Sequence, residues 1–454
     1  MNIKGAFINR LNNSSADWIC ENFDTLLEMH SKIKVHGRIK SFKKFGGIAF
    51  VHLFGADLQL IIDKSTADFT DFFNENAKTG DIVEAFGTIL KNKGLNSLKV
   101  ENIRVLAKCN AIIPKKINND EFAVKHRYLD IIVDDKTKER FRRCSLIISN
   151  MRKFLSDEGF LEFDTGIIKS KYDGGDSKPF ITHHNALNET FYLRVTTEMQ
   201  LKQLLIAGYD RVFELGKSFR NEGIDHIHYP EFTLLELYSA YSTCNDVMNI
   251  VKNLILHIAS TIKQENIVYN GNKIFLGDNW DIISSKDAFK KYANIDIDEL
   301  RTSKDMIRNI SSSMGYSGPQ DLAKLIAKVI DVKIKPNLIR PTFLIDLPIE
   351  LSPFAKPKAE DNMYAERAWL YIGGLDICDI YSDLLDREVV IERFKMQDKQ
   401  EEKGKQTHMR EEFVEALLYG MPPSAGVGMS VSRIEMLFND VDNIRDIILF
   451  PHGT

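Results

Sequence analysis

The stretch FELGKSFRNEGIDHIHYPEFTLLELY, residues 213–238, predicts two strands joined by a polar loop, with charged side chains on one face. The first strand leads to Arg220 and Glu222, and the second carries Phe232 and Glu236. An arginine fork suits a phosphate or a carboxylate, and an aromatic ring suits a nucleobase. From the residues alone, the hairpin is either a nucleotide-binding element or the scaffold of a structural arginine–glutamate pair.

The sequence around this hairpin mixes helical and extended patterns. Apolar residues at helical spacing predict one helix that contains Ile147, Met151 and Leu155 and another between residues 247 and 258. Four apolar segments predict strands of a buried sheet, namely RVFELGKSF, FTLLELYSAY, PTFLIDLPIEL and WLYIGGLDICDIY. We therefore expect a mixed α+β domain in this part of the chain.

The N-terminal part follows another pattern, with five short segments of alternating apolar and polar residues between residues 32 and 108. Five such strands predict a small closed barrel of the OB type. Basic residues surround Phe42 and Phe45, and rings beside cations suit single-stranded nucleic acid. A charged hairpin is also typical of a solvated sheet edge, so both interpretations stay open.

Length and composition narrow the classes of protein. A chain of 454 residues is expected to form two or three domains. No apolar run approaches the roughly 18 residues of a membrane span, and the N-terminus lacks a secretory-signal pattern, so the sequence predicts a cytoplasmic protein outside the membrane. The 5 cysteines are scattered and never form CxxC, which argues against a disulfide framework or a zinc site.

Walker, HExxH and GxSxG signatures are absent from the sequence. The segment 213–238 instead resembles motif 2 of the class II aminoacyl-tRNA synthetases, in the form found in lysyl-tRNA synthetases. Further segments are similar to that family: HRYLDI (126–131), GFLEFDTGI (159–167, motif 1), GGDSKPFITHHNAL (174–187) and MPPSAGVGMSVSRIEMLFNDVDNIRDIILFP (421–451, motif 3). The resemblance extends from about residue 35 to residue 451.

The resemblance implies an α+β protein with an N-terminal five-stranded OB-fold β-barrel and a class II catalytic domain, an antiparallel sheet flanked by helices. The implied boundaries are 1–109 for an N-terminal helix and the anticodon-binding-like domain, 110–125 for a linker and 126–454 for the catalytic domain. The implied activity is ATP-dependent activation of lysine or a lysine-like amino acid as an adenylate, followed by transfer to tRNA. ATP and Mg²⁺ are the implied cofactors, and a homodimer is the implied assembly.

Carried over position by position, the resemblance assigns the site residues. Catalysis would use Arg220, Glu222 and Arg433, and ATP would contact these three with His228, Phe232 and Asp376, the last also binding the metal. The amino acid would contact Gly174, Gly175, Glu198, Arg220, Glu236, Tyr238, Asp379, Tyr381 and Asp383. Phe232 and Arg433 would sandwich adenine, and Tyr238 and Asp383 would face the ε-ammonium of the substrate. RNA would contact Arg38, Phe50 and Gln59.

Several family positions carry a different residue here. Gly166 replaces the motif 1 proline, and Ile227 replaces a motif 2 arginine for the γ-phosphate. Trp369 and Asp376 replace two magnesium-binding glutamates. Asp379 replaces an asparagine and Asp383 a glutamate, while Ser430 and Ser432 replace a glycine and an aspartate. A tryptophan cannot bind a hard cation. Two interpretations therefore stay open: a working lysyl-tRNA synthetase, or a diverged paralogue with an altered substrate or no aminoacylation that binds RNA or an amino acid.

Overall fold

The computed structural model describes residues 14–29, 32–74, 77–172, 177–277, 279–315, 321–400 and 409–452. The chain divides into two compact units, residues 1–139 with 450–454 and residues 140–449. The domain boundaries expected from the sequence stay a prediction. None of the helices in the described ranges has the length and apolar character that a bilayer crossing requires.

The first unit consists mainly of strands. Its elements are β1 (Ser14–Ser15), α1 (Ala16–Glu21), α2 (Phe23–Glu28), β2 (Lys32–Phe45), β3 (Ile48–Leu53), β4 (Gln59–Asp63), α3 (Phe69–Asn74), β5 (Ile82–Asn92), β6 (Leu95–Ala107), α4 (Asp120–Lys125) and α5 (Arg127–Val133). The five predicted strands correspond to β2 through β6 and are confirmed. Residues 108–119 form neither helix nor strand, as the proline and the charges there indicate.

Strands β2 to β6 close into a ring, since they pair in the order β2-β3-β4-β6-β5 and β5 also pairs with β2. The pair β4–β6 is parallel and the others in the ring are antiparallel. Alternate residues point inward, so that Val35, Val51, Leu60 and Ile62 are fully buried.

Gly87 lies at a register shift between β5 and β6, where an added Cβ would lie 2.0 Å from a carbonyl oxygen of β6. Only glycine fits this close backbone approach.

The second unit begins within α6 (Asp135–Asp157), whose buried residues Ile147, Met151 and Leu155 confirm the predicted apolar face. Its next elements are β7 (Leu161–Glu162), β8 (Ile168–Lys169), β9 (Ile181–His184), β10 (Glu189–Leu193), α7 (Glu198–Ile206), β11 (Arg211–Phe219), β12 (Glu231–Ala240), α8 (Cys244–Thr261), β13 (Asn266–Tyr269), β14 (Asn272–Phe275) and β15 (Asp281–Ser284). They are followed by α9 (Ser285–Ala288), α10 (Ile297–Thr302), α11 (Lys304–Ser313), α12 (Leu322–Val329), β16 (Thr342–Pro348), β17 (Tyr364–Ile372), β18 (Leu375–Ser382), α13 (Arg387–Gln400), α14 (Met409–Ala416), β19 (Ser424–Ser430) and α15 (Val431–Asn439).

An eight-stranded sheet organises this unit in the order β15-β16-β17-β18-β19-β12-β11-β7. The strands from β16 to β11 are antiparallel, and the two edge strands pair in parallel. Apolar residues of α6, α8 and α15 form one core cluster with the sheet. The predicted mixed α+β domain and its apolar strands are therefore confirmed.

The segment WLYIGGLDICDIY contains parts of two strands instead of one. Gly373 and Gly374 have positive φ angles of 64° and 77° and join β17 to β18, with Ile372 paired to Leu375. Two glycines with positive φ suit the tight turn of a two-residue hairpin. The turn lets the two strands pair along one hairpin.

Leu60→Ala is expected to lower the free energy of unfolding of the first unit by about 2–5 kcal/mol, because truncation of a fully buried leucine leaves a cavity. Hydrogen exchange of peptides from residues 32–107, followed by mass spectrometry, measures this local stability. Leu95→Ala is the matched control, since Leu95 is 44% exposed. Equal losses in the two variants would contradict the assigned interior of the ring.

Candidate active site

A cavity of about 620 Å³ opens over β12, β17, β18 and β19. The residues predicted from the sequence that line it are Glu198, Arg220, Glu222, His228, Phe232, Glu236, Tyr238, Asp376, Asp379, Tyr381 and Arg433. Asp383 is buried close by, and Gly174 and Gly175 lie outside the described residues. Side chains from distant parts of the sequence therefore meet in one cavity.

The register of three neighbouring strands places the side chains on the cavity floor. Tyr238 of β12 pairs with Gly426 of β19, which pairs with Tyr381 of β18. The two tyrosine hydroxyls lie 3.2 Å apart across the glycine. An added Cβ at Gly426 would lie 2.3 Å from the Tyr238 ring. The glycine is thus required for the two hydroxyls to meet.

Arg220 lies one residue beyond β11, with its guanidinium carbon 5.1 Å from the centroid of the Phe232 ring. Its Nε is buried and has no hydrogen-bond partner among the described residues. Burial lowers the pKa of Arg220, and Glu222 opposes this shift. An unpartnered guanidinium N–H in a cavity is costly unless a ligand accepts a hydrogen bond from it, and an anion does so best.

The loop between β11 and β12 is ordered by Asp225. Its carboxylate accepts from the backbone N–H of Ile227 at 2.8 Å and from Nδ1 of His228 at 2.8 Å, and it has a lowered pKa because these bonds outweigh burial. Arg433 Nη2 lies 3.1 Å from His228 Nε2. Because arginine only donates, Nε2 accepts and the proton of the ring lies on Nδ1. His228 therefore connects the motif 2 loop to α15.

Ser430 and Ser432, which replace a glycine and an aspartate of the family, both have structural contacts. Ser430 is the N-cap of α15, and its hydroxyl accepts from the backbone N–H of Arg433 at 3.3 Å. The Ser432 hydroxyl lies 3.4 Å from the backbone nitrogen of Thr233. These serines fix the start of the helix that carries Arg433.

Asp376 carries two cationic partners. Lys335 Nζ lies 2.9 Å from its Oδ1, and Arg433 Nη1 contacts its Oδ2. Burial favours the neutral carboxyl, but the two cations outweigh it and lower the pKa of Asp376. The other family magnesium position holds Trp369, and the described residues include no cluster of three side chains of the metal-binding types. These residues do not fit a protein-held magnesium ion.

Lys202, which the sequence reasoning missed, is buried beside the opposite end of the cavity. Its Nζ lies 2.6 Å from Glu198 Oε1 and 2.6 Å from Asp383 Oδ1, and 5.3 and 5.1 Å from the ring centroids of Tyr238 and Tyr381. Burial disfavours the ammonium, but the two carboxylates outweigh it and raise the pKa of Lys202. Burial raises the pKa of Asp383, and Lys202 opposes this shift. Asp383 thus already faces an ammonium of the protein.

Arg367 was also missed by the sequence reasoning. Its Nε and Nη2 lie 2.8 and 2.5 Å from the two oxygens of Asp379, a bidentate pair. Burial lowers the pKa of Arg367, but Asp379 reverses this and leaves it raised. An aspartate close to a substrate carboxylate is repulsive unless a cation intervenes. Arg367 supplies that cation.

Glu236 forms the remaining anionic group of the floor. It accepts from the Thr196 hydroxyl at 2.6 Å and from the backbone N–H of Thr197 at 2.5 Å. Burial nevertheless raises its pKa. These bonds hold the carboxylate against the start of α7, which carries Glu198.

Gly166 lies in motif 1, where the family has proline. Its φ is +79°, and an added Cβ would find no atom within 4 Å. The proline ring holds φ near about −65° and cannot adopt this conformation. The replacement therefore accompanies a different local backbone and is more than the loss of a side chain.

The residues predicted to contact RNA lie in the first unit, on β2, β3 and β4. Phe50 and Gln59 point away from the buried interior, and Phe50 lies 6.3 Å from the exposed Phe45 ring. Gln59 Nε2 is 3.3 Å from the ring of His52, which the sequence reasoning missed. Arg38 donates to the backbone oxygen of Gly80 at 2.8 Å. In the sequence, His52 could have been found from its place between two buried residues of the alternating strand β3.

Lys202→Met is expected to lower the free energy of unfolding by about 3–5 kcal/mol, because it leaves buried carboxylates without their cation. The loss should be largest where Glu198 and Asp383 are ionised. It should shrink as the pH falls, since the folded variant takes up a proton that the unfolded chain, with carboxyl pKa values of about 4, does not. Urea unfolding between neutral and mildly acidic pH measures both effects.

Lys153→Met is the matched control. Lys153 forms an ion pair at the same spacing of four residues and the same 2.6 Å distance as Lys202 with Glu198, but its side chain is 63% exposed. We expect little change and no recovery at low pH, because exposed pairs contribute little. A Lys202→Met loss that is no larger than this control, or that grows as the pH falls, contradicts the assigned charges.

Comparisons with known proteins agree with this geometry. A family model described as tRNA synthetases class II (D, K and N) matches residues 119–454. The chain is 36% identical over 448 residues to a lysine--tRNA ligase from Roseiflexus sp. (strain RS-1), covering 96% of this chain and 92% of that protein. It is 37% identical over 431 residues to a lysine--tRNA ligase from Fervidobacterium nodosum, covering 92% and 84%. A match of this extent shows that the chain belongs to the class II tRNA synthetases.

Proposed function

We propose that this protein uses ATP to activate lysine or a lysine-like amino acid as an adenylate and transfers it to tRNA. The observation that carries the proposal is the buried, unpartnered Nε of Arg220 beside the Phe232 ring, in a cavity that Arg433 also lines. An anion and a flat base both find partners there. The similarity to proteins named lysine--tRNA ligase supports the choice of substrates.

The first step is an in-line attack of the amino-acid carboxylate on the α-phosphorus of ATP, which releases pyrophosphate. Arg220 binds the carboxylate and the α-phosphate and neutralises charge where it develops. Phe232 stacks on adenine, and Glu222 and His228 position the nucleotide. This reaction depends on positioning and charge, and it needs no side-chain nucleophile. In the second step a hydroxyl at the tRNA 3′ end attacks the carbonyl carbon and AMP leaves.

The charges at the amino-acid end favour a cationic side chain. Glu198 and Asp383 are two carboxylates, and Lys202 provides one ammonium between them. The pair of Arg367 and Asp379 is neutral in sum. Glu236 adds a further carboxylate, so carboxylates outnumber cations at this end and leave negative charge for the ammonium of a substrate, while the tyrosine rings of the floor provide cation–π contacts.

A diverged paralogue without aminoacylation is the second candidate. Two features favour it: Trp369 stands where the family binds magnesium, and Ile227 packs partly buried against core clusters where the family has an arginine for the γ-phosphate. Such a protein would still bind ATP or an amino acid through Arg220. The two candidates differ in whether pyrophosphate is formed.

Exchange of pyrophosphate into ATP, with lysine, its homologues and arginine tested in turn, distinguishes them. We expect the fastest exchange with lysine or a homologue, and roughly a 100-fold or larger loss in Arg220→Ala, because it removes a donor to developing charge. Arg211→Ala is the control, since Arg211 is at the far end of β11 and contacts the Glu158 oxygen. If no amino acid supports exchange while ATP still binds, the result contradicts the synthetase proposal and favours the paralogue.

The first unit is proposed as an OB-fold that binds the tRNA. Its closed ring of five strands and the outward residues Arg38, Phe50 and Gln59 support this proposal. The cations Lys40, Lys43 and Lys44 would follow the phosphates of the RNA. The boundaries at 109 and 125, the homodimer and the cytoplasmic location remain implications of the family.

Phe50→Ala is expected to weaken tRNA binding by about 1–3 kcal/mol, the contribution of one base stacked on a ring. Filter binding or fluorescence anisotropy at fixed salt concentration measures the dissociation constant. Phe86→Ala removes another exposed ring, on β5, and should leave binding nearly unchanged. If both variants bind like the unaltered protein, Phe50 does not stack on a base.

A further inference from the structure

A cation that neither the motifs nor the relatives' names point to lies beside the cavity, on two of its aspartates. Lys335 follows a helical turn of residues 330–334, and its Nζ lies 2.9 Å from Oδ1 of Asp376 and 3.8 Å from Asp331. Both aspartates line the cavity. The Lys335 side chain is 20% exposed, so it is held in place and still reaches open space.

Both oxygens of Asp376 are engaged by positive groups, Oδ1 by Lys335 and Oδ2 by Arg433. Magnesium demands nearly octahedral oxygen ligands at about 2.0–2.1 Å. A metal ion on Asp376 would have to displace two charge-assisted hydrogen bonds and approach two cations. Trp369 offers it no oxygen on the neighbouring strand.

The ammonium of Lys335 is suited to a phosphate oxygen. It has three N–H donors, and within the described ranges one of them hydrogen-bonds, to Asp376. Lysine binds phosphates as a point charge. Arg433 joins Lys335 to the same carboxylate, so Asp376 holds two cations side by side at the wall of the cavity. The guanidinium of Arg220 is a third cation, beside the Phe232 ring.

We propose that Lys335 binds the terminal phosphates of ATP and provides the positive charge that a protein-held magnesium ion provides in the family, so that this site binds ATP without a metal. This inference rests on the proposed function, in that ATP is its ligand. Lys335 then contacts the β- and γ-phosphates, and Arg220 contacts the α-phosphate. AMP has only the α-phosphate and therefore contacts Arg220 alone.

Calorimetric titration of the full-length protein with ATP and with AMP, in EDTA and in magnesium, tests the proposal. We expect the ATP dissociation constant in EDTA to lie within about threefold of its value in magnesium. Lys335→Gln should weaken ATP binding in EDTA by roughly tenfold or more, the effect of one hydrogen bond between charged groups. AMP binding should be unchanged, and Lys335→Arg should retain most of the ATP affinity.

Lys333→Gln is the matched control, with the same charge change two residues away on an exposed side chain. Thermal unfolding confirms that each variant folds, as expected because Asp376 keeps Arg433. Three results overturn the proposal: ATP binding that is lost in EDTA, Lys335→Gln that binds ATP like the unaltered protein, or equal losses for ATP and AMP. If neither nucleotide binds under any condition, the proposed function fails as well.

Discussion

The site depends on the glycines of β19, because that strand lies between the two strands that carry most of the cavity floor. Gly426 separates Tyr238 from Tyr381, and Gly428 separates Glu236 from Asp379. A side chain at Gly426 would occupy the space of the Tyr238 ring. The antiparallel register then aligns motif 2 with the C-terminal part of the chain. At its end, β19 leads through the Ser430 cap into α15, so the position of Arg433 follows from the same register.

Pairing of charges is the second constraint on the cavity. Three aspartates each pair with a cation of the chain: Asp376 with Lys335 and Arg433, Asp379 with Arg367, and Asp383 with Lys202. A buried ion pair adds little net stability, since desolvation opposes the attraction, but loss of one partner is costly. These pairs therefore fix the charge that a substrate meets. Carboxylates outnumber cations at the amino-acid end, whereas at the nucleotide end Arg220, Arg433 and Lys335 offset the carboxylates around them.

Local patterns in the sequence predicted the elements that depend on neighbouring residues. The alternation in β2 to β6, the apolar faces of α6 and α8 and the strands β11 and β12 are of this kind. The two-residue turn at Gly373 and Gly374 was missed, although paired glycines are a hairpin signal. The resemblance supplied the candidate site residues, most of which line one cavity.

The sequence alone did not predict the long-range ion pairs, because these depend on the register of strands that are distant in the chain. Lys202 stands four residues after Glu198 on α7, which indicates an ion pair, but nothing in that pattern connects it to Asp383 on a different part of the chain. No motif in the sequence indicated Lys335, which follows the helical turn of residues 330–334. The residues missed around the cavity are thus cations, whose partners are set only by the fold.

An ammonium neutralises one unit of charge where magnesium neutralises two, so the exchange of one for the other has consequences for the two halves of ATP. In the proposed reaction the α-phosphate is attacked, and its charge is matched by Arg220, which keeps its place. The β- and γ-phosphates form the leaving group, whose developing charge falls to Lys335 under this proposal. Weaker neutralisation there slows the departure of pyrophosphate more than it weakens the binding of ATP, because only the transition state concentrates charge on the leaving oxygen. If Lys335 takes the place of magnesium as proposed, the residues around Asp376 are therefore expected to affect the rate of adenylate formation before they affect the occupancy of the site.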